Sequence, residues 1–223
     1  MANFKTQIEN IAGKTATVGA TGQNAYNEML NNFLKQSARA VLNLMPDDVL
    51  IRDSIKTNIT SDSGITVTDK KVVKVTRAGH GCIEMPLEEK AHLQANSGSI
   101  KEPTKRSPVY YIEGQITTGG FLFIKPDPTA TEQGQLDFNL FPSPLYNEDS
   151  INNFPDRAEY AVVIGSAIRL LQHKINKMIH EDEDIELTSV AQQELQTVSM
   201  MYQDEIARLN GSAGMAQPQQ GGE

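Results

Sequence analysis

Residues 153–171, NFPDRAEYAVVIGSAIRLL, decide the fold class of this chain. Pro155 falls in a first-turn position, where its missing N–H costs nothing, so Asn153-Phe154-Pro155-Asp156 opens a helix. From Tyr160 to Leu171 the residues are apolar nearly all round, which predicts a helix buried on most faces. His180-Glu181-Asp182-Glu183-Asp184 then breaks the apolar pattern and sets negative charge where the dipole of a following helix favours it. Leu187, Val190, Ala191, Leu195, Val198, Met201, Tyr202, Ile206 and Leu209 recur at helical spacing. The expectation is two antiparallel helices joined by an acidic elbow.

Working outward, residues 3–45 also read as helical. Phe4, Ile8 and Ile11 mark a short first helix, and Gly13 to Gly22 reads as a loop. A longer amphipathic helix follows, with Tyr26, Met29, Leu30, Phe33, Leu34, Ser37, Val41, Leu44 and Met45 on one stripe. Pro46-Asp47-Asp48 stops it, because the residue before a proline avoids the helical region. Between the helical ends the pattern changes to short β-branched runs. Ile65-Thr66-Val67 and Lys71 to Thr76 read as strands with turn chemistry at Asp69-Lys70. Val109 to Ile112 and Phe121 to Ile124 read as a hairpin, and Leu136 to Leu140 as an edge strand. Six of the ten prolines lie between Pro103 and Pro144 and cut this region into short strands and loops.

The predicted class is therefore α+β. A helical bundle from residues 1–58 and 147–209 carries a β-rich insert at 59–146, with a flexible tail at 210–223. The apolar helix from Tyr160 needs more cover than one amphipathic helix provides; the N-terminal helix supplies some, and a neighbouring subunit is a second source. Gly165-Ser166-Ala167 permits close helix approach, within the chain or between copies. Arg169 inside that helix has two readings. Its stem snorkels over a helix edge, or its guanidinium pairs with a carboxylate across helices or subunits.

The charge balance, 28 Asp/Glu against 20 Lys/Arg for a net −8, argues against a nucleic-acid surface held by bulk electrostatics. Ten of those acids, against five bases, lie between Pro155 and Leu209. Cys82 is the single cysteine, which excludes an internal disulfide and fits a reducing compartment or simple indifference to redox. The N-terminus lacks the plan of a signal peptide and no apolar run approaches membrane-spanning length, so a soluble intracellular protein is expected.

Catalytic signatures are missing from the sequence. His80, His92, His173 and His180 have no metal-ligand spacing, and His173 and His180 would sit about 10 Å apart on one helix. No nucleophile elbow, phosphate-binding loop or dinucleotide fingerprint occurs. Gly79-His80-Gly81-Cys82 is better explained as a turn between strands than as a Cys–His corner. No catalytic residue, cofactor or metal is assigned.

The layout resembles the head-to-tail connector (adaptor) proteins of tailed bacteriophages, including gatekeeper or tubular-tail and related neck proteins. The residues that carry this are Ala38-Arg39-Ala40-Val41 in an amphipathic helix, a Pro-broken strand-rich insert, and Phe154-Pro155-Asp156 leading into Tyr160 to Leu171. The acidic elbow Glu181 to Glu186 and a last helix carrying Tyr202 complete the pattern. The resemblance implies a structural virion protein, made in the host cytoplasm, that forms a ring of about twelve copies beneath the portal. That ring would continue the DNA channel toward the tail, with double-stranded DNA passing without specific binding. Subunits would stay monomeric until the portal templates the ring.

The resemblance assigns the portal or subunit interface to Arg169, Tyr202 and a tail that orders on binding, through Asn210, Ser212, Met215, Gln217, Gln219 and Gln220. It assigns the tail-facing surface to the loops Gly114 to Gly120 and Lys125 to Ser143, at Gln115, Thr117, Pro126 and Asp127. The partners implied are the portal protein, a tail or second-tier neck protein and further copies of the chain, with no membrane. A second-tier neck or tail-completion ring, and a non-viral helical scaffolding or interaction module, are the alternative readings.

Overall fold

A computed structural model describes residues 2–14, 19–90, 102–116, 119–179 and 185–211. The fold is α+β, and the chain divides into two compact units. One is helical and built from both ends of the chain, Met1–Pro46 and Pro142–Glu223; the other is the inserted Asp47–Phe141.

In the helical unit, α1 (Phe4–Ala12), α2 (Gly19–Leu44) and α5 (Ile185–Leu209) all pack on α4 (Asp156–Lys177). The α4 side chains Ala161, Val162, Val163, Ile164, Ala167, Leu170 and Leu171 are buried by this single chain, so the apolar helix finds its cover without a second copy. Pro155 is the N-cap, one residue earlier than the first-turn position expected; its φ of −64° suits a helix but its ψ of 117° is extended, and its carbonyl accepts the first bond, from Ala158 N at 2.8 Å.

The α1 N-terminus is closed on three sides. The Asn3 side chain accepts from Thr6 N, while Phe4 N and Lys5 N donate to the carbonyls of Glu148 and Tyr146. At its other end Lys174 Nζ donates to the carbonyls of Ala12 and Gly13, which are orphans of the helix terminus. Burial there lowers the Lys174 pKa, partly offset by Glu194 and Glu9.

Several expectations need correction here. Residues 19–22 belong to α2, not to a loop; residues 15–18 and the elbow 180–184 lie outside the described residues. Leu44 is exposed, and Leu42 takes the inward position. On α5 the buried stripe is Ala191, Val198 and Leu209, with Leu195, Tyr202 and Ile206 half-buried beside it. Val190 and Met201 face solvent, on the side of the helix turned away from that stripe. The side chain of Leu187 lies outside the described residues.

The inserted unit begins with the short α3 (Asp47–Leu50). Its strands are β1 (Ile55–Ile59), β2 (Ile65–Thr66), β3 (Lys70–Arg77), β4 (His80–Gly81), β5 (Ile83–Glu84), β6 (Val109–Glu113), β7 (Phe121–Lys125) and β8 (Gly134–Leu140). They form two four-stranded sheets, ordered β1-β8-β3-β4 and β2-β7-β6-β5. Ile59, Val75, Leu136 and Phe138 from the first meet Leu122 and Ile124 from the second, with Val67 between them, in one core. A Cβ on Gly134 would lie 2.6 Å from Ile124 Cδ1, so any larger residue there would make the end of the Ile124 side chain shift.

The hairpin of Val109 to Ile112 with Phe121 to Ile124 forms as read, with Tyr111 opposite Phe123. Ile65-Thr66 and Lys70–Arg77, however, do not pair with each other. The chain crosses from one sheet to the other through Asp69, whose φ is +52°. Leu136 to Leu140 is not an edge strand either. β8 is interior, flanked by β1 and β3, and even its polar Asp137 and Asn139 are buried. The insert thus starts before residue 59, because β1 supplies the neighbour that covers β8.

Candidate functional site

Each unit carries a cleft that collects residues singled out in the sequence. In the helical unit a small cleft of about 270 Å³ is lined by Ser37 and Ala40 of α2, Gly165, Ile168, Arg169 and Gln172 of α4, and Tyr202 of α5. Gly165 sets its geometry. A Cβ there would stand 3.2 Å from Ser37 Oγ and 3.4 Å from Tyr202 Cε2, so its absence lets all three helices converge.

Arg169 donates from Nη1 to Gln36 Oε1 at 2.9 Å and from Nε to Ser37 Oγ at 3.3 Å. Its partners are thus neutral α2 side chains, and no carboxylate pairs with it among the described residues. Tyr202 is half-buried; burial raises its phenol pKa, and the Arg169 charge partly offsets this. The structure therefore brings Arg169 and Tyr202 together. Asn210 lies apart, exposed at the end of α5, with its N–H donating to Ile206 O. Ser212, Met215, Gln217, Gln219 and Gln220 lie outside the described residues.

The second cleft, about 480 Å³, lies wholly in the inserted unit and is within the range of small-ligand sites. Tyr111 and Phe123 stack on its floor at 5.4 Å and 16°. Lys90 Nζ lies 5.4 Å from the Tyr111 ring centroid and is bonded to Glu113, which raises the lysine pKa. Lys125 pairs with Asp127 across Pro126, while Asp62, Glu102 and Pro103 complete the rim. Gly64 leaves room for the Phe123 ring, since a Cβ there would meet it at 2.8 Å.

Of the loop residues expected to face a tail, Pro126 and Asp127 line this cleft. Gln115 is exposed in a tight loop closed by Gly119 N donating to its carbonyl, and Thr117 lies outside the described residues. Lys125 to Ser143 is not one loop. It contains β8, and its first part is tied down by Arg77, which donates to Asp127 O and Glu132 Oε2. Lys90, Glu113, Asp62 and Glu102 escaped notice in the sequence because four separate segments deliver them. The signal that was available is the hairpin itself, whose register sets Tyr111 against Phe123.

The tight turn is Ala78-Gly79, at φ 47° and 83°, between Arg77 and His80, so the exposed His80 and Gly81 lie in β4 and not in the turn itself. Burial pushes the Cys82 thiol up to about 11, against a lowering pull from Arg77, so it is a poor nucleophile at neutral pH. Among the described residues no group of three His, Cys, Asp or Glu side chains could hold a metal ion, and no helix is long and apolar enough to cross a membrane. No protein-family model matches the chain, and no curated protein matches it significantly.

Proposed function

We propose that this chain is a structural virion protein of a tailed bacteriophage, a head-to-tail connector subunit that docks as a ring on the portal and continues the DNA channel to the tail. The observation that carries the reading is the chain order: a helical unit made from both chain ends, interrupted in sequence by an inserted β unit, the layout on which the resemblance rests. The net charge of −8 supports it, because a conduit should repel phosphates and let the duplex slide. In this reading the helical unit and residues 210–223 face the portal, the inserted unit faces a tail or second-tier neck protein, and the role is non-catalytic. The protein resides in the virion neck.

The test is electron microscopy of this chain mixed with the portal protein of the same genome, beside each component alone. The expected result is an extra tier on the portal, in about twelve copies by symmetry matching. Deleting residues 212–223 should leave circular dichroism unchanged and weaken assembly of that tier. A tier seen only after a first adaptor has bound would reassign the chain to the second neck ring. No tier under any condition would sink the connector reading in favour of a helical interaction module.

A further inference from the structure

The cleft of the helical unit is lined by hydrogen-bond donors and by no carboxylate among the described residues. Arg169 uses Nε and Nη1 on Ser37 Oγ and Gln36 Oε1, while Nη2 donates to no acceptor among the described residues. Ser37 is only 2% exposed, yet its own hydroxyl proton is uncommitted. The helical hydroxyls of Ser166, Thr197 and Ser199 each donate to the carbonyl four residues back, whereas that of Ser37 donates to none among the described residues. Tyr202 Oη and the Gln172 amide likewise donate to no described acceptor. Burial raises the Tyr202 pKa, so the phenol keeps its proton, and with it the capacity to donate, at neutral pH. Donors that converge on an unneutralised guanidinium select an anion.

The kind of anion follows from charge, shape and size. One guanidinium matches one negative charge, and fifteen Asp/Glu against nine Lys/Arg in this unit disfavour a dianion. A planar fork meets a planar carboxylate on two parallel bonds. Ile168 and Ala40 offer apolar wall to a short alkyl stem, and about 270 Å³ holds a small acid or one side chain. We propose that this cleft binds an aliphatic carboxylate, its oxygens held by Arg169, Ser37 and Tyr202. The inference stands on the cleft alone and does not depend on the connector reading.

Titration of the isotope-labelled full chain with butyrate tests it, followed by NMR at the Arg169 Nε–H signal and at constant ionic strength. That signal is identified by its loss in Arg169→Lys. A saturable shift is expected, with the neutral isostere butyramide binding about tenfold more weakly. Tyr202→Phe and Ser37→Ala, with circular dichroism unchanged, should each weaken butyrate several-fold. Both variants keep the net charge, so they leave any bulk electrostatic effect intact. Equal affinity for butyrate and butyramide, or wild-type affinity in both variants, would overturn the proposal. Tighter binding of inorganic phosphate than of butyrate would overturn the carboxylate assignment. A capped Gly-Glu-Gly peptide that binds more tightly than butyrate places the carboxylate on a partner's side chain; the reverse order places it on a free acid, and both uphold the site.

Discussion

Arg169 illustrates how a single polar side chain is accommodated in an apolar helix. Its half-buried guanidinium donates to Ser37 and Gln36 of α2, so among the described residues its partners are neutral side chains and not a carboxylate. Glu159 shows the opposite situation. Partial burial raises its carboxyl pKa above the ordinary 4.5, opposed by Ile151 N–H donating to Oε1, with Asp156 and Asp149 adding to the rise. The folded chain therefore holds this proton more tightly than the unfolded chain. Stability falls as pH rises from 4.5 through the raised folded value, and the full cost is present above it. Glu159→Gln keeps the Oε1 acceptor and removes the charge. Its melting temperature at pH 7 should exceed wild type by on the order of 1–2 °C, discounted for solvent screening, and the gain should vanish below the ordinary carboxylate value. A gain that persists under acid conditions would disprove the linkage.

The decisive element is α4, because it is buried on nearly every side by α1, α2 and α5. Its apolar content was legible from Tyr160 to Leu171, and so was the role of the small residues around Gly165. Which surfaces they admit was not legible: Ser37 and Tyr202 lie far away in sequence and meet only in the bundle. Gly165→Leu should place a side chain where a Cβ alone already presses on Ser37. The expected loss is about 1–3 kcal/mol in a denaturant titration, well beyond the helix-propensity gain of roughly 1 kcal/mol. An unchanged midpoint would show that the helices can part at no cost. β8 teaches the complementary lesson. Its alternation of Leu136, Phe138 and Leu140 with polar residues resembles an edge strand, yet β1 pairs with it from Ile55 to Ile59, a run whose β-branched Ile55, Thr57 and Ile59 alternate with Lys56 and Asn58 but do not say which strand they pair with.

For the whole molecule, charge is distributed unevenly. The inserted unit carries thirteen Asp/Glu against eleven Lys/Arg, while the helical unit carries fifteen against nine. Phosphate repulsion is thus concentrated in the helical unit. A 40-base-pair duplex should not be retained by the chain in a gel-shift assay at about 150 mM salt; retention would remove the conduit argument.

By itself the sequence determined the class: helical ends, a strand-rich middle, and an acidic balance. These follow from local periodicity and composition, which need no knowledge of what lies opposite. Only the tertiary structure decided which strand is interior, which α5 residues are buried, that Arg169 meets neutral partners, and that Lys90, Tyr111, Glu113 and Phe123 share a cleft. Each of these depends on a contact between distant segments. Such contacts are set by the burial and hydrogen-bond satisfaction of the assembled fold, to which no local window has access.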